Sequence, residues 1–241
     1  PSWKSCMFEL LSYGDAGWGD EILAGLAITM QLAIVTLPIG LLIGFVAAFA
    51  SMSRHAGLRA IGFGYTTIMR GLPEILTLFV VYNGVGLLLN KLAVWWDPGG
   101  TNIEFSPFAA GVTALAMVFG AFAGEVLRGA FQSLDEGQME AGRAIGMSPR
   151  KIFFRIRLPQ VWRFALPGLG NLWINMLKDT ALVSIIALDD LMRMTKVAVG
   201  VTKQPFTFYL LACLIYWALC VLSEVVLNHM ERRANRGIRR V

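Results

Sequence analysis

Long apolar runs separated by short polar segments dominate this chain of 241 residues. A helix that crosses a bilayer needs about 20 predominantly apolar residues. Stretches of that kind occur over residues 22–50, 71–89, 107–127, 164–188 and 206–227. The first carries no charged residue, whereas the fourth contains Lys178 and Asp179. The pattern predicts an all-α membrane protein with five transmembrane helices that form a single domain over residues 1–241.

The composition excludes one large soluble domain. Hydrophobic residues make up 56% of the chain and charged residues only 15%, whereas about a quarter of a typical soluble domain is charged. The cysteines Cys6, Cys213 and Cys220 have no metal-ligand spacing, so neither a metal nor another cofactor is expected.

The distribution of lysine and arginine predicts the orientation of the chain. Segments before the first span, between the second and third, and between the fourth and fifth hold five of these residues. Segments on the other side of the membrane hold fourteen. Cytoplasmic loops are the ones enriched in positive charge, so the N-terminus is expected outside and the C-terminus in the cytoplasm. Topology thus explains the net charge of +5 without a nucleic-acid partner.

One predicted cytoplasmic segment, 134–159, has strong local signals for two short helices. Residues 134–145 favour a helix, and Gly146 can take the left-handed conformation that ends one. Ser148, followed by a proline, is typical of a cap and first turn. Residues 150–158 form the second predicted helix, and Pro159 is expected to end it.

Three interpretations of this segment compete. It could be a basic amphipathic element that only contacts anionic lipid. A DNA-reading helix–turn–helix is disfavoured because the segment is tethered between two spans. The third possibility is a docking element for a soluble partner, in which Ile152 and Phe153 either contact that partner or anchor the loop to the neighbouring spans.

The residues of the segment favour docking. Glu140, Ala141 and Gly142 are followed after three residues by Gly146, and after nine more by Ile156 and the pair Leu158-Pro159. This spacing resembles the EAA loop of ABC-importer permeases: Glu-Ala-Ala, three residues, Gly, nine residues, Ile, any residue, Leu-Pro. The chain departs from the pattern at Gly142, where alanine is usual. A glycine there is expected to loosen the helix by up to about 1 kcal/mol.

Other segments extend the resemblance to nearly the whole chain. Residues 70–73 (RGLP), 125–129 (EVLRG), 177–184 (LKDTALVS) and 230–233 (MERR) are similar to elements of the polar amino-acid permeases. Within that family the chain most resembles the Q-type subunit of histidine/lysine–arginine–ornithine and opine importers.

The resemblance implies a type I ABC importer permease fold in the bacterial inner membrane, with a periplasmic N-terminus and a cytoplasmic C-terminus. The implied partners are a second permease subunit in a heterodimer, two ATPase subunits and a periplasmic substrate-binding protein. Residues 134–159 would be the cytoplasmic coupling helix between helices three and four. Its ATPase-coupling residues would be Glu140, Ala141, Gly142, Gly146, Arg150, Ile156, Leu158 and Pro159.

The chain itself is not expected to be an enzyme. It contains no Gly-x4-Gly-Lys-Ser/Thr phosphate loop, so ATP hydrolysis is assigned to the partner. The predicted function is uptake of a polar, in particular basic, amino acid or an opine-like derivative. The alternatives are a secondary transporter or channel that acts without an ATPase, and a membrane scaffold without transport.

Polar side chains within spans mark the candidate substrate path, because ionisable groups at membrane depth are costly. The candidates lie on the second and fourth predicted spans: Asp179, Thr180, Asn175, Asn171, Glu74 and Thr77. A carboxylate such as that of Asp179 would attract a cationic amino acid. In the alternative interpretation, Asp179 and Lys178 form a pair inside the bundle and contact no substrate.

Two further groups of charged residues are assigned from spacing and position. Glu125 and Arg128 are three residues apart near the cytoplasmic end of the third span, which predicts a structural ion pair. The loop 188–205 would face the periplasm, where it forms either a short amphipathic helix or a docking surface for the binding protein. The candidate docking residues are Asp189, Asp190, Arg193 and Lys196.

Overall fold

The computed structural model describes residues 12–14, 17–96 and 106–235 of the chain. Lys4 and the arginines beyond residue 235, which enter the charge count, lie outside these ranges. Every regular element within the described ranges is a helix. In chain order the helices are α1 Gly19–Ser51, α2 Ala56–Gly71, α3 Glu74–Trp96, α4 Pro107–Gln132, α5 Glu136–Ala144, α6 Pro149–Ile152, a π-helical turn Phe153–Arg157, α7 Leu158–Asp179, a 3-10 helix Thr180–Ile186, α8 Leu191–Thr202 and α9 Pro205–Ala234.

Among the described residues, α1, α4 and α9 are each long and apolar enough to cross a membrane. A fourth candidate is obtained when α2 and α3 count as one broken span. The predicted fourth span, 164–188, corresponds to most of α7 plus the 3-10 helix, and α7 does not qualify because polar residues such as Arg163, Asn171 and Asn175 interrupt it.

Two predicted boundaries are wrong, and proline chemistry explains both. The span predicted over 71–89 is interrupted near its start, because α2 ends at Gly71 and α3 begins after Pro73. The residue before a proline is disfavoured in helical conformation. Conversely, Pro159 does not end a helix but is the second residue of α7. Its ring would normally clash with the carbonyl group of Arg155, four residues earlier, and the wider π turn that includes this residue relieves that clash.

The chain divides into two compact units, and each is described by itself. The first consists of Pro1–Leu37, Pro73–Leu115 and Met176–Cys220. The second consists of Pro38–Leu72, Ala116–Asn175 and Val221–Val241.

In the first unit, the 3-10 helix is a packing centre. Its Val183 is fully buried, as are Leu32 of α1 and Phe208 of α9. Gly111 of α4 approaches so closely that a Cβ atom there would lie 2.8 Å from Val183 Cγ1 and 3.3 Å from Leu32 Cδ1. The 3-10 helix is therefore packed closely against α4.

In the second unit, α1 and α4 meet through two facing pairs of glycines. Gly40 and Gly44 stand four residues apart on α1, and Gly120 and Gly124 do so on α4. A Cβ atom on Gly44 would lie 2.9 Å from Ala123 Cβ and 3.2 Å from the carbonyl oxygen of Gly120. A Cβ atom on Gly120 would in turn lie 3.1 Å from the carbonyl oxygen of Gly40. This small-xxx-small pattern on both helices allows close backbone approach, as in many membrane helix pairs.

Candidate functional sites

The segment that resembles the EAA loop forms a helical hairpin in the second unit. Asp135 caps α5, because its side chain accepts a hydrogen bond from the backbone N–H of Gly137 at 2.9 Å. Met139 and Gly142 form the buried face of this helix, while Glu140 is exposed. The helix therefore presents both of its acidic residues, Glu136 and Glu140, outward and uses Met139 and Gly142 for packing.

The turn of the hairpin follows the sequence expectation. Gly146 has φ +79°, and the N–H of Met147 donates to the carbonyl oxygen of Gly142 at 3.0 Å. The hydroxyl of Ser148 accepts a hydrogen bond from the N–H of Lys151 at 3.4 Å, with Pro149 in the first turn. The predicted left-handed glycine and the predicted helix cap are both confirmed.

Gly142 is where the two halves of the hairpin pack together. A Cβ atom at this position would lie 3.1 Å from Ile156 Cδ1 and 3.3 Å from Ile152 Cγ1. A glycine in place of the usual alanine thus permits a closer approach of α5 to the second half of the hairpin. The exposed members of the predicted coupling set are Glu140, Ala141, Gly146, Arg150 and Pro159, whereas Gly142 is buried and Ile156 and Leu158 are half-buried.

An aromatic cluster anchors the π-helical turn to α1 and α4. The ring of Phe131 lies 5.3 Å from that of Phe49 and stacks on that of Phe153 at 6.4 Å, with the guanidinium of Arg157 at 5.7 Å from the Phe131 ring centroid. Ile152 is buried. Phe153 therefore contacts Phe131 of α4, whereas Ile152 packs against Gly142 of α5 within the hairpin.

A cleft of about 310 Å³ opens beside α5. Its apolar lining comes from the ends of α1 and α4 and from α5, and its rim carries charges of both signs. The lining residues are Met52, Phe131, Gln132, Leu134, Glu136, Met139, Glu140, Arg143 and Arg157. The outward carboxylate of Glu140 therefore borders a concave surface.

Glu125 and Arg128 lie together in the second unit, within a larger cluster than the spacing suggested. Arg128 Nη2 is 2.5 Å from Glu125 Oε2. The hydroxyl of Thr66 donates to Glu125 Oε1 at 3.2 Å, and Arg70 Nη1 lies 3.8 Å from Oε2. The carboxylate therefore connects α4 to α2. Sequence reasoning missed Thr66, since nothing in the local pattern indicates that α2 packs on α4.

The substrate candidates are divided between the two units. In the first, Glu74 begins α3 and Asp179 ends α7; both are half-buried, and their side chains interact with each other. Asn171 and Asn175 belong to the second unit and are exposed. Lys178, the alternative partner of Asp179, is exposed, and no ion pair joins the two among the described residues.

The two threonines of the candidate set are buried. Thr77 donates to the carbonyl oxygen of Pro73 at 3.4 Å, and Thr180 donates to that of Leu177 at 2.7 Å. Thr180 is fully buried and Thr77 is 4% exposed. Both hydroxyls therefore hydrogen-bond to backbone carbonyl groups near helix ends, and the assignment of these two residues to the substrate path stays a prediction.

Asp190 also differs from its expected role. It was a candidate for a docking surface, yet it is fully buried and caps α8 by accepting from the N–H of Arg193 at 3.0 Å. Burial raises the pKa of Asp190 to about 6, although the backbone N–H groups of Arg193 and Met192 and the charge of Lys196 favour its ionised form. The exposed face of α8 retains Lys196 and the ion pair between Arg193 Nε and Asp189 Oδ1 at 2.9 Å.

Residues 40–236 match the family described as "Binding-protein-dependent transport system inner membrane component". The chain belongs to this family. It is 41% identical to the octopine transport system permease protein OccQ of Rhizobium radiobacter, over 96% of this chain and 98% of that one. It is 40% identical to the arginine ABC transporter permease protein ArtQ of Escherichia coli (strain K12), over 88% and 94%. It is also 35% identical to the histidine/lysine/arginine/ornithine permease HisQ of that strain, over 93% and 97%.

Solved structures agree with this family. A crystal structure of an amino acid ABC transporter with histidines matches with a TM-score of 0.77 and 30% identity, over 90% of this chain and 95% of that one. A chain of the inward-facing MetNI methionine ABC transporter shares the fold, with a TM-score of 0.66 at 18% identity, over 97% of this chain and 99% of that one. The chain is thus an ABC transporter permease of the inner membrane and not itself an enzyme, as its sequence predicted, and its family implies ATPase and substrate-binding-protein partners.

Proposed function

We propose that this permease imports a basic amino acid or an opine-like derivative. The similar permeases are named for octopine, nopaline, arginine and the histidine/lysine/arginine/ornithine group. The facing carboxyl groups of Glu74 and Asp179 provide negative charge for an amino or guanidinium group. In this proposal α1, the α2–α3 pair, α4, α7 and α9 are the five spans, the N-terminus is periplasmic and a second, different permease completes the path.

The hairpin of α5 and α6 is proposed as the coupling element. The observation that carries this assignment is that one surface of the hairpin is packed and another is exposed. Phe153 packs against Phe131 of α4, while Glu140, Gly146 and Arg150 are exposed. A partner ATPase that moves this hairpin would move the ends of α1 and α4 through the aromatic cluster. Rigid-body rocking of permease halves would then alternate access to the path.

The coupling assignment is tested by Glu140→Lys in the complete complex reconstituted in liposomes with its ATPase and binding protein. We expect uptake and the ATP hydrolysis stimulated by the binding protein to fall by about tenfold or more, because a charge-assisted contact is replaced by repulsion. Glu136→Lys, the same charge change one turn earlier on α5, is the control and should retain most activity. Uptake that continues without the ATPase would instead establish a secondary transporter.

The substrate assignment is tested by Asp179→Asn and Glu74→Gln. Loss of a charged hydrogen-bond partner is expected to reduce uptake of the cationic substrate by about 10-fold to 100-fold, with ATPase co-purification unchanged. Lys178→Gln, at the exposed neighbour, is the control. If both carboxylate variants transport like the unmodified complex, the substrate charge is bound elsewhere.

A further inference from the structure

The segment from Arg150 to Arg163 is unusually one-sided in charge. It contains five lysines and arginines and no aspartate or glutamate. None of its cations forms an ion pair with a carboxylate in the described ranges, whereas Arg128 and Arg193 elsewhere in the chain do. Two of the five already have positions assigned above: Arg157 lies against Phe131 and Arg150 belongs to the proposed coupling face. Of the remaining cations, Arg155 and Arg163 lie on either side of the start of α7.

The π-helical turn and the first turns of α7 carry exposed aromatic rings and arginines close together in the chain. Phe154 and Trp162 are both exposed, at 61% and 36%. Arg155, which follows Phe154, is exposed, and Arg163, which follows Trp162, is half-buried. Arg163 Cζ lies 5.0 Å from the ring centroid of the exposed Phe164. These five residues define the basic–aromatic face.

The aromatic rings and the arginines have opposite solvent preferences. Exposed aromatic rings are poorly placed in water, and unpaired guanidinium groups are poorly placed in hydrocarbon. Both are accommodated at the boundary between headgroups and acyl chains, where aromatic rings are enriched and arginine can bind phosphate with two hydrogen bonds. A protein surface of acidic residues would pair with the arginines but would offer no apolar contact to the exposed surfaces of Phe154 and Trp162.

We propose that the basic–aromatic face binds an anionic phospholipid of the cytoplasmic leaflet, with Arg155 and Arg163 on its phosphate and Phe154 and Trp162 against its acyl chains. This proposal rests on the cytoplasmic placement of the hairpin proposed above. Because the face begins in the π-helical turn, whose Phe153 belongs to the aromatic cluster, a bound lipid would hold the coupling hairpin against the membrane.

The test uses the assembled complex in nanodiscs of phosphatidylcholine with or without phosphatidylglycerol. Phosphatidylglycerol that stays bound after extraction is counted by native mass spectrometry. Arg155→Gln/Arg163→Gln is expected to reduce its retention by about tenfold or more, since each basic residue near an anionic surface contributes appreciably. Arg54→Gln/Arg59→Gln is the matched control, because it removes two exposed cations from the same predicted side of the membrane and should retain the lipid.

Each outcome decides the proposal. It is overturned if the two double variants lose equal amounts of lipid, which would indicate a general effect of positive charge. It is also overturned if the first variant retains its lipid but loses ATPase co-purification, which would assign the face to the protein partner. The double variant Arg155→Lys/Arg163→Lys keeps both positive charges and should retain most of the lipid. It is the control for misfolding caused by substitution at these two positions. Lipid retention needs no ATP and no transport, so a failed uptake assay would leave this test intact.

Discussion

Two short helices of this chain begin in the same way and differ in their surroundings. Asp135 caps α5 in the second unit, and Asp190 caps α8 in the first. Their side-chain oxygens accept backbone N–H groups at nearly equal distances, 2.9 Å and 3.0 Å. Asp135 is exposed, however, and Asp190 is fully buried. One capping signal therefore begins both a projecting helix and an enclosed one.

The difference lies in what surrounds the cap. Next to Asp190, the N–H of Leu191 donates to the buried hydroxyl of Thr29 at 3.1 Å, and Gly25 of α1 faces the backbone of this turn. Asp135, in contrast, caps α5 at an exposed position. A capping contact in water contributes about 1 kcal/mol, but a buried carboxylate also carries a desolvation cost. An aspartate cap thus stabilises α5 modestly. On α8 the net contribution of the cap depends on the desolvation cost of the buried carboxylate.

The substitution Gly25→Leu, which would force the start of α8 away from α1, is expected to have the largest effect on stability. A Cβ atom there would lie 2.9 Å from the carbonyl oxygen of Asp190 and 3.0 Å from Leu191 Cα. Because both are backbone atoms, a change of side-chain rotamer cannot relieve the clash. We expect a loss of about 3 kcal/mol or more, measured by thermal unfolding in detergent. Gly200→Leu in α8, where a Cβ atom would meet no described atom outside its own helix backbone within 4 Å, should cost much less. Equal losses would contradict the close contact at Gly25.

The buried cap should also make stability depend on pH. The pKa of Asp190 is about 6 in the folded chain against an ordinary value of 3.8, so the folded state holds the proton more tightly. The resulting stabilisation, about 3 kcal/mol, is complete below pH 4 and is lost as the pH rises to 6. Asp190→Asn keeps an oxygen for the N–H of Arg193 but cannot ionise, so it should remove this slope and raise the melting temperature above pH 6.

The control for this pH effect is Asp189→Asn, which changes the exposed neighbour of Asp190. Its unfolding should follow the pH dependence of the unmodified protein. A pH profile that Asp190→Asn leaves unchanged would mean that the carboxyl group has similar surroundings in the folded and unfolded chains.

Sequence patterns predicted features whose causes are local. The turn at Gly146, the cap at Ser148 and the apolar helices depend on neighbouring residues or on their own hydropathy. The burial of Asp190 depends on Thr29, which lies far away in the sequence, and single-chain spacing contains no sign of that contact. Pro159 failed as a helix terminator for a similar reason, because its tolerance depends on an upstream π turn that helix propensities do not predict.

The smallest expected effect is that of the exposed cap. Asp135→Ala removes the acceptor for the N–H of Gly137, and we expect a loss of about 1 kcal/mol confined to α5. Hydrogen exchange of the α5 amides should accelerate while the global melting temperature stays nearly constant, because α5 remains attached through Met139 and Gly142. Asp135→Asn supplies an equivalent oxygen and should exchange like the unmodified chain. If Asp135→Ala instead lowered the melting temperature as much as Asp190→Ala, the stability of α5 would be coupled to the fold of its whole unit, and exposure would not distinguish the two caps.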